Sequence, residues 1–271
     1  MKTNNGIILD GNDLSTPEIS NAGFHNSIYR EKNITSYLTD SSLWIRISSG
    51  KFVDLFVGDY FTVSLGGASF IMRIAGFDTF YKTYYETNQM NKHHAIIIPD
   101  VYLQTAAMDN SGDVTGGYVN TDMFKTVLPS WVTKLETAIG ASHVLSVYEY
   151  LTSGVDANAK NCLRPSLTGA SNACTWKASK ANLLSETEVY GYMSYSSSGY
   201  ENGMVCYGQL PLFRLNPKKI IVKDASGNNY YYWLRNITSS DDFCVVADDG
   251  VADCSESFDD GIAVRPRFII G

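Results

Sequence analysis

The sequence predicts one α+β domain, built of mixed short strands with two or more helices, behind a short N-terminal appendage. Several short apolar runs are separated by glycine, proline and polar turn signals, which is typical of strands. One longer segment, residues 121–139, instead places its apolar residues at helical spacing. The 271 residues can bury a sizeable core, and a chain that is 44% hydrophobic and 18% charged is globular rather than disordered.

The predicted appendage covers residues 1–50. Thr16-Pro17-Glu18 combines a capping residue, a proline suited to a first helical position and an acid in the first turn. Two further short helices are predicted over residues 34–38 and 43–47. Helices of this length are unstable alone, so they are expected to dock on the rest of the chain or on neighbouring subunits. A role in trimer formation or in docking to a larger structure follows as a hypothesis.

The predicted domain covers residues 51–271. Apolar runs over residues 52–63 and 69–77 flank Gly66-Gly67 and predict a β-hairpin. The run 93–100 contains a proline near its end and predicts a buried strand. In the helical segment, Pro129 is expected to split or kink the helix, and Gly140 lies where a C-cap belongs.

The next part of the chain is predicted to be less regular. Residues 153–181 are rich in Ser, Asn, Ala and Gly and predict a long polar insertion. Ser185-Glu186-Thr187-Glu188 is a capping box that predicts a short helix through Tyr192. Short strands are predicted over residues 210–215 and 219–222.

The last forty residues hold the most distinctive pattern. An aromatic run, 230–235, and an apolar run, 261–270, both predict strands and frame a segment of short residues. No Lys or Arg lies between Arg235 and Arg265, although the segment carries eight acids: Asp241, Asp242, Asp248, Asp249, Asp253, Glu256, Asp259 and Asp260. The whole chain has a net charge of −7, so the rest of it is close to neutral. The pattern predicts a displayed acidic surface held between two packed strands.

Composition excludes several classes of function. An acidic balance argues against nucleic-acid binding, which needs a clustered basic face. No apolar run is long enough for a membrane span, so no membrane insertion is expected. Residues 1–5 lack the apolar core of a signal peptide, which predicts synthesis in a cytoplasm. Five cysteines are an odd set that favours free thiols over a disulfide framework, with a Cys162–Cys174 pair left open.

Histidines and acids could in principle hold a metal. Because adjacent strand residues point to opposite faces, only one of His93 and His94 could serve any one site, and a structural role is favoured for both. The stretch 249–253 has too few alternating carboxylates for an EF-hand-like calcium loop, so a solvated acidic face is preferred. No metal and no cofactor are predicted.

Other catalytic patterns are missing from the sequence. There is no nucleophile elbow, and serine-rich loops make chance Ser-His-Asp sets plentiful. Gly66-Gly67 and Gly116-Gly117 lack the lysine and spacing of a phosphate-binding loop. We therefore predict no catalytic residue and expect a binding protein rather than an enzyme.

A family resemblance enters at the terminal segment. The run Tyr232-Trp233-Leu234-Arg235 is followed by a polar stretch that contains Phe243-Cys244-Val245-Val246 and Asp249-Gly250, and then by residues 261–268. This ending is similar to that of the variable proteins of diversity-generating retroelements in gut bacteria and their phages. More widely it resembles C-type lectin-fold domains related to the formylglycine-generating enzymes. Further runs that resemble this group, in order, are residues 57–61, 93–100, 116–119 and 209–217, so that the resemblance covers roughly residues 34–271.

The resemblance implies a C-type lectin fold with a variable ligand-binding segment near residues 236–260. In such systems template adenines are copied with errors, and Asn codons can become any residue except Lys, Glu, Gln, Met or Trp. Only Glu256 among residues 236–263 is of these five types, and Cys is a permitted outcome. The implied ligand-binding positions are Asn236, Thr238, Ser240, Asp241, Asp242, Phe243, Ala247, Asp248, Asp249, Val251, Asp253, Cys254, Ser257, Phe258, Asp259 and Asp260.

The implied scaffold positions are Trp233, Leu234, Arg235, Gly250, Val264, Arg265 and Pro266. Short side chains on loops between buried strands can be exchanged at little cost in stability, which makes such a division reasonable. Phe243 and Phe258 could instead belong to the core.

The resemblance thus implies a ligand- or receptor-binding protein at a phage tail tip or bacterial cell surface. Its partner would be a host-surface protein or glycan, and the protein could form a homo-oligomer such as a trimer or dock on a tail structure. Two alternatives remain open on the same fold. One is an oxidase like the formylglycine-generating enzymes, for which Cys244 and Cys254 are the only close cysteine pair in this region. The other is a structural virion protein with a fixed surface.

Overall fold

The computed structural model describes residues 3–4, 7–8, 21–158, 170–196 and 208–271. It is a mixed α+β structure, as predicted. Its strands are β1 Thr3–Asn4, β2 Ile7–Ile8, β3 Tyr60–Leu65, β4 Ala68–Phe77, β5 Tyr84–Tyr85, β6 Asn88–Gln89, β7 Ala95–Pro99, β8 Gln104–Thr105, β9 Val147–Val155, β10 Ser171–Ser179, β11 Ala181–Leu183, β12 Val222–Lys223, β13 Asn229–Tyr230, β14 Tyr232–Ile237, β15 Asp242–Val246, β16 Ala252–Glu256, β17 Ala263–Val264 and β18 Pro266–Ile270. Its α-helices are α1 Ala22–His25, α2 Thr35–Thr39, α3 Ser42–Ser48, α4 Leu128–Ile139, α5 Glu186–Tyr190 and α6 Pro211–Leu215.

Two five-stranded sheets organise the fold. The first has the order β11-β18-β7-β4-β3 and is antiparallel throughout. The second has the order β16-β15-β14-β17-β8, in which only the β14–β17 pair is parallel. The chain passes from the second sheet at β17 to the first at β18 within three residues. The terminal segment is therefore anchored in both sheets.

The N-terminal helices pack on the same core as the first sheet. Ile34, Leu43 and Ile47 are fully buried in the hydrophobic cluster that includes β4 and β7. A parallel bridge joins Asn33 to Tyr60 at the start of β3. Helices α2 and α3 therefore dock on their own chain, which supplies the packing that such short helices need. Thr16-Pro17-Glu18 lies outside the described residues.

The long helix forms where its spacing predicts it. A π-helical turn, Met123–Val127, leads directly into α4, with Pro129 in the first turn of the α-helix. Proline is tolerated there because its missing N–H would have no intrahelical partner. Trp131 and Leu135 face the core, and Gly140 ends the helix with a φ of 94°. The predicted split at Pro129 is thus a change of helix type rather than a break.

Three predictions about local structure are wrong. The segment expected to be a strand at 210–215 is helix α6, whose first-turn Pro211 favours a helix start and whose Leu212 and Phe213 are buried. Of the expected polar insertion at 153–181, residues 159–169 lie outside the described residues, while residues 171–179 form β10, which pairs with β9 although it is rich in small and polar residues. The expected strand at 219–222 shrinks to β12 after a 3₁₀ turn, Pro217–Lys219.

Candidate functional site

The terminal hairpin β15–β16 forms an edge of the second sheet. Its strands pair from Asp242–Glu256 to Val246–Ala252, and a tight turn closes it, with the Ala247 N–H donating to the Val251 carbonyl oxygen at 2.8 Å. Gly250 has a φ of 88°, a conformation that favours glycine. Acidic side chains at Asp253 and Glu256 protect this edge from pairing with another strand.

The acidic residues of this hairpin carry uncompensated charge. Among the described residues, none of the eight carboxylates between Asp241 and Asp260 forms a salt bridge. Asp248 and Asp249 are exposed at the hairpin turn beside Val251, which is 54% exposed. The turn therefore presents two negative charges next to an apolar side chain.

Tyrosines border the same turn. Tyr190 donates its hydroxyl to the Gly250 carbonyl oxygen at 3.1 Å, and its ring centroid lies 6.1 Å from that of Tyr192, which is 62% exposed. The pKa of Tyr231 is raised above its ordinary value, chiefly by the charge of Asp248, then by burial and by Asp253 and Asp249. Tyr231 directly precedes Tyr232, which pairs with Val246 at the start of the turn.

We call this patch the tyrosine–aspartate surface. Tyrosine supplies large, rigid contact area with a polar end, which is why recognition surfaces are rich in it. Sequence reasoning missed the tyrosines of this surface because they lie before the acidic segment, although 18 tyrosines in the chain were a general signal. The surface consists of Tyr192, Tyr231, Asp248, Asp249, Val251 and Asp253.

Helix α5 holds the tyrosine side of the surface in place. Its capping box forms as predicted, with the Ser185 hydroxyl accepting from the Glu188 N–H and the Glu188 carboxylate accepting from the Ser185 N–H. The buried Glu186 carboxylate accepts hydrogen bonds from the backbone of residues 194–196, 2.9 Å from the Tyr195 nitrogen and 3.0 Å from the Ser196 nitrogen. The Glu186 N–H in turn donates to Asn236 Oδ1 at 2.7 Å, which ties α5 to β14.

A buried ionic cluster lies beneath α5. The Glu188 carboxylate accepts from Arg267 Nε at 2.6 Å and from Arg235 Nη1 at 2.8 Å, and Arg267 also pairs with Glu149. Burial alone would raise the pKa of Glu188, but the two guanidinium groups outweigh it and hold that pKa below its ordinary value. Four charged groups from β9, α5, β14 and β18 are thus joined under the candidate site.

The other end of the hairpin carries a second acidic patch. Ser239 Oγ lies 2.7 Å from Asp241 Oδ1 and 2.8 Å from Asp242 Oδ2. The pKa of Asp242 is raised above its ordinary value, mainly by burial and next by the nearby charge of Asp241. Phe258 is 55% exposed here and approaches Gly112 of the preceding loop.

The structure separates the predicted ligand-binding positions into three groups. The first group lies at or near the turn, with Cys254 midway along the edge strand: Asp248, Asp249, Val251, Asp253 and Cys254. The second group lies at the opposite end: Asp241, Asp242, Phe258, Asp259 and Asp260. At about 3.3 Å per residue, the five-residue strands put roughly 15 Å between these ends. The third group has its side chains buried in this structure: Asn236, Thr238, Ser240, Phe243, Ala247 and Ser257.

Phe243 and most of the scaffold positions belong to the core. Phe243 lies in the second hydrophobic cluster with Trp233 and Ile237, so the core alternative holds for Phe243 and not for the exposed Phe258. The scaffold positions Trp233, Leu234, Val264, Arg265 and Pro266 are all buried, and Arg235 is nearly so. Trp233 Nε1 donates to the Ala106 carbonyl oxygen at 2.8 Å and Arg265 Nη1 to that of Lys219 at 2.9 Å.

The histidine pair has structural partners. His94 is fully buried and accepts from the Phe80 N–H at 3.1 Å, while His93 Nδ1 lies 2.7 Å from the Asp78 carboxylate. Within the described ranges, no three His, Cys, Asp or Glu side chains are grouped so that they could hold a metal ion.

The expectation of free thiols fails for Cys254, which is disulfide-bonded. Cys254 lies in the middle of the edge strand β16. The suggested pair of Cys162 and Cys174 cannot be placed, because Cys162 lies outside the described residues.

The fold and this surface define an α+β protein that displays a tyrosine- and aspartate-rich hairpin turn on a two-sheet scaffold. The chain belongs to the family described as Domain of unknown function (DUF6273), whose model matches residues 4–271. No curated protein and no solved structure matches the chain. In the described parts of the chain, none of the helices is both long and apolar enough to cross a bilayer.

Proposed function

We propose that this protein binds a ligand or receptor through the tyrosine–aspartate surface and is not an enzyme. The observation that carries the proposal is the turn itself, where Asp248 and Asp249 stand exposed beside Val251 and form no salt bridge with any residue that the structure describes. The Asp249 carboxylate also serves the fold, because it accepts from the Val251 N–H at 2.9 Å. A second negative charge beside it, at Asp248, has no stabilising value for the fold. Such a surface suits a ligand with basic or amide groups, for which the charges raise the association rate and the specificity.

The scaffold that we propose is a C-type lectin fold, in which the last strands and their loops present the binding surface. Support comes from the arrangement of β14, β15 and β16, which carry the surface, and from β18, which returns to the first sheet. The buried Trp233, Arg265 and Pro266 hold these strands whatever residues occupy the turn. More specifically, we propose that the chain is a variable protein of a diversity-generating retroelement.

The partner that we propose is a host-surface protein or glycan, met at a phage tail tip or a bacterial cell surface. Nucleic acid is not a proposed partner, since the surface is acidic. A trimer or a docked tail component would give many weak contacts a combined strength. Light scattering tests this assembly, and a monomeric mass at micromolar concentration would count against it.

The oxidase alternative finds less support. That chemistry needs a reactive cysteine pair or a metal site, and Cys254 is disulfide-bonded. A disulfide sulfur is not a thiolate and is a poor metal ligand. A structural virion protein with a fixed surface remains the competing proposal, because it would share every feature of the scaffold.

The deciding experiment is to sequence the DNA downstream of the gene. A near-copy of the codons for residues 230–270, differing mainly at template adenines and lying beside a reverse-transcriptase gene, is the expected result. The mismatched codons should concentrate at exposed positions such as Asp248, Asp249 and Val251 and should spare Trp233 and Arg265. The retroelement proposal fails if no such repeat exists, and the fixed-surface alternative then takes its place.

A further inference from the structure

A row of partly exposed aromatic rings runs along the β9–β10 hairpin, far in sequence from the acidic segment. In β9, Val147, Glu149 and Leu151 are buried while Tyr148 and Tyr150 alternate with them and stay half-buried. Successive strand residues point to opposite faces, so these two tyrosines share the outer face. Trp176 on β10 is the cross-strand partner of Tyr150, with ring centroids 5.3 Å apart.

The small β5–β6 hairpin completes the row. Tyr85 stacks on Trp176 with ring centroids 4.9 Å apart, and its centroid is also 4.9 Å from that of Tyr148. The order of contacts is therefore Tyr148, Tyr85, Trp176, Tyr150. Rings that support one another in this way are fixed in position, and their remaining faces and edges can receive a ligand with little loss of side-chain entropy.

A cavity of about 340 Å³ opens between the β5–β6 hairpin and the beginning of β9. Its aromatic wall is formed by Tyr85 and Tyr148. Its polar groups include the side chains of Thr87, Asn88 and Asn91, and none of the residues that line it is charged. The volume lies at the lower end of the roughly 300–1,000 Å³ of small-molecule pockets.

The lining defines the chemistry of an occupant. Amide and hydroxyl groups both donate and accept hydrogen bonds, and burying them against an apolar ligand would leave them unsatisfied. A charged ligand would find no opposite charge in the lining to offset its desolvation. An aromatic face carries negative partial charge and attracts the weakly positive C–H face of a ring. A neutral sugar has hydroxyls at its rim and such a C–H face.

We infer that this cavity, which we call the aromatic cleft, is a binding site for a neutral saccharide, with Tyr85 and Tyr148 as the stacking platform. The aromatic cleft shares no residue with the tyrosine–aspartate surface and carries no acid in its lining. The inference is therefore independent of what the terminal hairpin binds and of whether its codons vary.

The test uses the full-length protein and a panel of neutral disaccharides: maltose, cellobiose, lactose, mannobiose and chitobiose. Saturation-transfer NMR at millimolar sugar reports binding, and titration of the ¹⁵N-labelled protein gives the dissociation constant from the Trp176 indole signal, assigned with Trp176→Phe. At least one disaccharide is expected to bind. Tyr148→Ala should weaken that binding about tenfold, whereas Tyr148→Phe keeps the ring and should stay within about threefold.

Each outcome decides the inference. Thermal melting first verifies that both Tyr148 variants are folded, and Asn88→Ala, on the exposed β6 strand, gives a second variant that should also weaken binding. The inference is overturned if no sugar of the panel binds, or if the Tyr148→Ala and Asn88→Ala proteins both bind as the unchanged protein does. Equal loss in the Ala and Phe variants of Tyr148 would show that stacking is not the source of affinity and would also overturn it.

Discussion

Replacing Glu188 by glutamine tests the ionic cluster that supports the candidate site. Glu188 is fully buried and accepts from Arg235, Arg267 and the Ser185 N–H, so the change leaves two buried guanidinium groups to share Glu149. Breaking a buried ion pair by removing one partner costs about 3–5 kcal/mol. Glutamine can still accept the capping hydrogen bond, so the cap adds little to this figure.

Urea unfolding followed by circular dichroism measures the loss. We expect the Glu188→Gln protein to unfold at least about 3 kcal/mol more easily, with a melting temperature lower by roughly 6–12 °C, at about 2–4 °C per kcal/mol for a chain of this size. Glu256→Gln is the matched control, because Glu256 is exposed and forms no salt bridge among the described residues; it should change stability by less than about 0.5 kcal/mol. A loss below about 1 kcal/mol for Glu188→Gln would refute the reasoning.

The same cluster gives a pH dependence with a defined sign. The pKa of Glu188 is lower in the folded protein than in the unfolded chain, where it is about 4.3. A depressed carboxyl pKa contributes stability that is present above the unfolded value and is lost as the pH falls through the folded value. The stability difference between the unchanged protein and Glu188→Gln should therefore be constant at neutral pH and should shrink below about pH 4. A difference that grows in acid would contradict this assignment.

Two further predictions concern packing and are checked by the same unfolding assay. Phe243→Ala should cost about 3–5 kcal/mol because Phe243 is fully buried, whereas Phe258→Ala should cost less than about 0.5 kcal/mol; equal losses would contradict this placement of the two rings. Gly50→Ala should destabilise by about 1–3 kcal/mol, since Gly50 has a φ of 65° and a Cβ there would meet the His93 ring. Gly67→Ala is the control, because Gly67 has a φ of 91° but open space around it, so that only backbone strain should destabilise this variant. It should cost less than Gly50→Ala, and an equal cost would show that the clash with His93 does not contribute.

The elements that the sequence predicts well are those whose signal is local. The spacing of Trp131 and Leu135, the capping box at Ser185 and the glycine turn before β4 each depend on residues close in the chain, and all three form. The sequence predicts a strand where helix α6 forms, because the apolar residues of so short a segment fit either the helical or the strand period. Only the tertiary contact of Leu212 and Phe213 with the core decides between them.

The candidate site was predictable only in part for a related reason. The acidic pattern located the turn at Asp248 and Asp249. Polarity alone does not show which residues of a polar segment are exposed, because small hydroxyl residues can be buried between strands. Ser257 and Thr238 look like surface residues and are inside. Of the tyrosines that complete the surface, Tyr192 follows α5 and Tyr231 directly precedes β14. No spacing rule joins Tyr192 to a turn that lies more than fifty positions later in the chain.

The arrangement of buried and exposed positions explains how this surface can change without loss of the fold. Trp233, Arg265 and Phe243 fix the terminal strands through the core and through hydrogen bonds to distant carbonyls, none of which involves the turn. Asp248 and Val251 extend from a turn that is held by backbone hydrogen bonds and by the Asp249 carboxylate, which accepts from the Val251 N–H. The positive φ of this turn is supplied by Gly250. Substitution at these two exposed positions therefore costs the fold little. Under the proposed function, the same substitution would alter what the surface recognises. Any selection for varied binding would act on the turn and spare the strands beneath it.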